Sequence, residues 1–259
     1  MKQQTMILMF CWMGISVTSA SLAQKPHKYT TKNKSESSVF DSLMKQCFKN
    51  NVLRCDSCDT LAVRDYLVDQ INKTSTNKKS YARICSFMNI YHSWLILSLC
   101  ASNGLKRLSN DSTFLTRDTL LLQQSGFTLS GMRSSILEMA QKDKIPIWCS
   151  LWNGTVSGAP HPKKEFQPES FASTIKAKAK AYFKTSPDEY SLDRSKHIIT
   201  VSERMIQELG LFSSGKSEAS LALELILPHI PESDAAFYMI NKSLVSIRSI
   251  AVSDRISMK

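Results

Sequence analysis

The chain has 259 residues, 42% of them hydrophobic, and a formal net charge of +11. That length supports a real core in one large unit or two smaller ones, and it excludes a peptide held only by disulfides. Gly is scarce, at 8 residues, which disfavours a turn-rich sheet protein, and the charge favours acidic partners over basic ones.

Lys2 is the only charge before Lys25, and residues 6–17 are apolar or small. Small residues follow to Ala23. A positive start, a short apolar core and a small-residue cut describe a cleavable signal peptide over residues 1–23, with Ser21 and Ala23 before the cut. The apolar core is shorter than the roughly 20 residues a membrane span takes. The expected compartment is therefore secreted or extracellular, with a bacterial periplasm as the alternative. Residues 24–36 are polar and Lys-rich and read as a flexible basic arm.

Residues 37–142 read as a helical, disulfide-containing region. Phe40, Leu43, Met44 and Cys47 recur at helical spacing, and Leu61, Tyr66, Leu67, Val68 and Ile71 do so after a capping Asp59 or Thr60. Residues 84–105 hold no Asp, Glu, Lys or Arg, but include Ser86, Asn89, His92 and Ser93. Those polar groups are costly in lipid, so the segment is expected to be the central helix of a protein core, not a transmembrane anchor. Two further helices are expected at residues 111–124 and 129–141.

Residues 143–168 carry Pro146, Gly154, Gly158, Pro160, Pro162 and Pro168 and read as a loop or linker. A C-terminal helical region over 169–259 follows. Its helices are expected at residues 168–184, 186–208, 217–227 and 233–253. The second opens on a Ser186-Pro187 start signal, although Ile198, Ile199, Thr200 and Val201 are strand-like. The expected fold is all-α: amphipathic helices bundled around one long apolar helix, with disulfides in the N-terminal part.

Cleavage removes Cys11 and leaves six cysteines: Cys47, Cys55, Cys58, Cys85, Cys100 and Cys149. In an oxidising compartment up to three disulfides are expected, with connectivity open. Cys55 and Cys58 form a C-x-x-C pair, but no second ligand pair supports zinc and no βαβ pattern supports redox chemistry. Five of the ten asparagines, Asn33, Asn72, Asn110, Asn153 and Asn241, begin Asn-x-Ser/Thr sequons, an excess that points to a glycoprotein.

Lys163, Lys164, Lys176, Lys180 and Lys184 form a candidate anion patch. The last three share one helix face at i, i+4, i+8 spacing, where like charges repel unless an anion neutralises them. Aromatic residues are not interleaved as base-stacking platforms, so nucleic acid is not an expected partner. Gly210, Gly215, Lys216 and Ser217 complete a phosphate-loop pattern, but Gly210 follows a helix candidate and too little chain remains for a nucleotide domain. Histidines and serines are present without a nucleophile elbow or a clustered metal pattern, so no catalytic residue, metal or cofactor is assigned.

These features describe a secreted, glycosylated protein that acts by binding and is not expected to be an enzyme. At the level of architecture it resembles a cytokine-like or other receptor-binding ligand, with a protein receptor or a glycosaminoglycan as partner. Two alternatives are a bacterial periplasmic assembly or secretion component and a secreted hydrolase with an unrecognised site.

Overall fold

Ser38 opens the first helix of the computed structural model, which describes residues 38–74, 80–101, 114–122, 125–141, 145–152, 154, 159–185, 188–208 and 218–251. Its hydroxyl accepts the Asp41 N–H at 3.2 Å and donates to the Asp41 carboxylate at 2.7 Å. The helix, α1 (Val39–Cys47), buries Phe40, Leu43, Met44 and Cys47. A hairpin follows, β1 (Phe48–Lys49) against β2 (Val52–Leu53). Asn50 and Asn51 turn it with φ of 53° and 61°, a conformation Asn tolerates and a two-residue hairpin requires.

Asp59 caps α2 (Thr60–Thr74), its carboxylate accepting the Ala62 N–H at 3.0 Å. Next comes α3 (Ser80–Ala101), flanked by α2 and by α5 (Leu129–Gln141). Between α3 and α5 lie the short α4 (Phe114–Arg117) and a hairpin of β3 (Leu120–Leu122) and β4 (Ser125–Phe127). Residues Tyr81–Ala101 are long and apolar enough to cross a membrane, but 78% of that window is buried within the protein itself.

The remaining elements are a 3-10 turn (Ile147–Ser150), α6 (Phe171–Thr185), β5 (Tyr190–Asp193), β6 (Ile198–Ser202), α7 (Glu203–Glu208), α8 (Glu218–Ile226), α9 (Glu232–Asn241) and β7 (Ser246–Ile250). β6 is the centre of a three-stranded sheet, antiparallel to β5 and parallel to β7. Helices α7 to α9 make the crossover that a parallel pair requires.

Three small sheets overturn the all-α expectation. The expected helix over residues 111–124 is described as α4 and then β3, where Leu120 and Leu122 alternate inward around the exposed Leu121. The helix expected over residues 186–208 gives way to the β5–β6 hairpin and to α7. There the β-branched run Ile198, Ile199, Thr200 and Val201 wins over the Ser-Pro start signal, because pairing buries Ile199 and Val201 completely. The helix expected over residues 233–253 ends at Asn241, and Ile247 and its neighbours pair with β6 instead.

The Pro/Gly-rich stretch supplies core side chains: Ile147, Trp148, Cys149, Leu151 and Trp152 are all buried. A polar latch holds its far end. The buried Asn89 side chain donates to the Phe166 carbonyl at 3.2 Å and accepts the Phe166 N–H at 3.1 Å. Next to it, Glu165 accepts from the Tyr66 hydroxyl at 2.7 Å and Gln70 at 3.1 Å, while its own N–H donates to Asp41 at 2.9 Å. Burial, reinforced by the Glu165 charge, pushes the Tyr66 phenol far above its ordinary range, so it remains a donor.

Two disulfides form, Cys47–Cys58 and Cys55–Cys100. The C-x-x-C cysteines thus bond to different partners, which disposes of a redox pair within the motif. Cys85 and Cys149 are buried free thiols, so the described cysteines give two bridges and not three. Burial pushes the Cys85 thiol up to about 12, so it is a core side chain and not a nucleophile at neutral pH.

Candidate functional site

Helix α6 buries Phe171, Ile175, Ala179, Tyr182 and Phe183, and that stripe fixes where its lysines go. Lys176, Lys180 and Lys184 lie exposed along the opposite flank. Facing them is the turn between α8 and α9, in which His229 N–H donates to the Ile226 carbonyl at 2.7 Å and Ile230 N–H to the same carbonyl at 3.2 Å. Pro228 and Pro231 bracket His229 and Ile230 and restrict the turn. Pro231 leads into α9, whose first turn has no side-chain cap.

Together these elements line a cleft of about 490 Å³, formed by Lys180, Lys184, Leu227, Pro228, His229, Ile230, Pro231, Glu232 and Ala235. Its floor is apolar and two of its rim groups are ammonium ions. Burial first, then the charges of Lys176 and Lys180, hold His229 below the ordinary imidazole range. A bound anion reverses the lysine part of that effect. It also relieves the repulsion along α6, whereas the first turn of α9 already carries Glu232 and Asp234.

The anion patch is therefore divided. Lys180 and Lys184 line the cleft and Lys176 borders it through His229, whereas Lys163 acts on His161 and Lys178. Lys164 is exposed beside Lys163. His229 is the residue that sequence reasoning passed over. Its signal is the Pro-His-Ile-Pro run at 228–231, which forces a tight turn beside a basic helix.

A second polar group lies inside. Trp152 N–H donates to Nε2 of the fully buried His92 at 3.3 Å, which places the ring proton on Nδ1. His92 also stacks on Phe166, and His161 stacks on Phe48 with centroids 3.9 Å apart. Lys178 Nζ sits 4.6 Å from the Phe166 ring centroid. Burial is the main cause that lowers both histidines, His92 to about 3 and His161 to about 4, with nearby lysines adding to it. Arg133 Nη1 donates to the Leu151 carbonyl at 2.9 Å. His92 thus anchors main chain within the core, and the arrangement holds a loop rather than poising a nucleophile.

No protein-family model, curated protein or solved structure matches this chain. The functional reading rests on its own geometry.

Among the other sequence-predicted residues, Asn72 is exposed on α2. Asn241 is half-buried and donates to the Phe237 carbonyl at 2.9 Å, a bond that a glycan on its nitrogen alters. Asn33, Asn110 and Asn153 lie outside the described residues, as do residues 1–36 and the phosphate-loop pattern at 210–217. The described element before that pattern is α7, a helix and not the strand a phosphate loop follows. No group of three or more His, Cys, Asp or Glu side chains is placed to hold a metal among the described residues.

Proposed function

We propose that this is an exported, disulfide-bonded glycoprotein that acts by binding, and that its acidic partner docks at the cleft between α6 and the α8–α9 turn. The observation that carries the reading is the convergence of Lys180, Lys184 and His229 on one apolar-floored cleft of about 490 Å³. Its lining contains a single carboxylate, Glu232, and that group is exposed. The volume lies within the range of pre-formed ligand clefts, and the rim selects negative charge.

The resemblance to helical cytokines depended on an all-helical bundle, and the three sheets remove that support. Binding of a sulfated polysaccharide or an acidic protein face does not depend on it, since both present oxyanions spaced along an extended surface. The two disulfides fit an oxidising compartment.

The triple variant K176A/K180A/K184A tests the site. Titrated with a heparin hexasaccharide and with a poly-glutamate peptide at low salt, it is expected to bind at least about ten-fold more weakly than the wild type, about 1.4 kcal/mol. The variant K45A/K49A, altered on α1 and β1, is expected to retain affinity. The difference between the two should shrink as salt screens the contact. Equal binding by both variants rejects the cleft as the docking site.

A further inference from the structure

The other surface of note is the β7 edge of the three-stranded sheet, which no described strand pairs. Ser246 N–H donates to the His197 carbonyl at 2.9 Å. In a parallel ladder that bond turns the main chain of Ser246, Arg248 and Ile250 toward β6. The N–H and C=O groups of Ile247 and Ser249 therefore point away from the sheet. The register runs unbroken through five residue pairs, from Ile198↔Ser246 to Ser202↔Ile250.

Proteins protect such edges with Pro, bulges, charges or a covering element. β7 has no Pro, no Gly and one charge, Arg248, and every residue in it except Ile247 is exposed. β7 and the turn before it expose apolar side chains: Leu244 is 66% exposed and Ile250 51%. From residue 235 to 251 there are two cations, Lys242 and Arg248, and no acid.

We propose that β7 is a docking edge for an extended segment of a partner protein, which joins the sheet as a fourth strand. Main-chain hydrogen bonds to Ile247 and Ser249 supply the pairing, as in strand addition generally. Charge complementarity defines the segment. It carries an acidic side chain against Arg248 and apolar side chains against Ile250 and Leu244. A second copy of this chain fits less well, because it brings another Arg248 to a short edge that offers no carboxylate.

Amide hydrogen exchange on the full chain tests this, with a capped Thr-Val-Thr-Glu-Thr-Val-Thr heptapeptide, whose Val, Glu and Val share one strand face, as the Glu–Val probe and the same peptide with Lys in place of Glu as the Lys–Val control. The Glu–Val peptide is expected to slow exchange at Ile247 and Ser249 at least about ten-fold, and the Lys–Val peptide is expected not to. Ser249→Pro removes the outward N–H and leaves the β6–β7 bonds intact, so it should abolish the effect, while Ser249→Ala should keep it. If Ser249→Pro does not fold, a Glu–Val peptide N-methylated at alternate residues replaces it and is expected to lose protection. No protection, protection confined to other amides, or undiminished binding by Ser249→Pro or by the methylated peptide overturns the proposal. Protection that grows with protein concentration in the absence of peptide overturns it in favour of self-association.

Discussion

Lowering the pH from 7 to 5 is expected to remove about 2 kcal/mol of stability through His92 alone. The ring is fully buried, and burial first, then the Lys178 charge, lowers its folded-state pKa to about 3. In the unfolded chain the same ring takes a proton near pH 6.5. The unfolded state therefore binds more protons between those values, so the stability is present above pH 6.5 and is lost as the pH falls toward 3. His161, lowered to about 4 by burial and then by Lys163 and Lys178, adds a loss of similar size over the same interval. Urea unfolding at the two pH values measures the loss. His92→Gln removes the titrating group and should flatten the pH dependence by about 2 kcal/mol. A variant as acid-sensitive as the wild type would show that His92 is protonated or exposed in the folded state.

The second large effect is expected at Asn89. Its side-chain amide meets both main-chain polar groups of Phe166, and all of them are buried. Asn89→Leu conserves volume but strands a donor and an acceptor, each costing about 1–3 kcal/mol when buried without a partner. A loss of about 3 kcal/mol is expected in chemical denaturation, and the loop from 159 to 168 should become the first segment cut under limited proteolysis. By contrast, Gln167→Ala removes only an exposed hydrogen bond to Glu165 and should change stability little. A cost below about 1 kcal/mol for Asn89→Leu would mean that water reaches Phe166 and satisfies it.

These two predictions fall on residues whose roles the sequence conceals. Helical spacing located α1 and α2, and long apolar-rich stretches bounded by Gly or Pro located α3, α5, α6 and α8. The polar residues within α3 marked it as a core helix, but nothing local to Asn89 names a partner 77 positions away. The strands were missed where a start signal or an apolar run imitates a helix. Five-residue strands such as β6 and β7 become stable only when a distant strand pairs with them. The same limit applied to the candidate site. The spacing of Lys176, Lys180 and Lys184 was legible as one helix face, whereas His229 joins them only through the packing of the α8–α9 turn. The six cysteine candidates included the four that bond, but Cys85 and Cys149 stay free, and the pairing depends on the β1–β2 hairpin bringing Cys47 toward Cys58.

The cleft assigns one role to three lysines and none to the rest of a strongly basic surface, and that contrast is measurable. Lysine acetylation, read by peptide mass spectrometry with and without a heparin hexasaccharide, reports each side chain separately. Protection of Lys176, Lys180 and Lys184, with Lys45, Lys49, Lys196 and Lys242 unchanged, is the predicted result. Protection spread evenly over all of these lysines, or absent from α6, would contradict it.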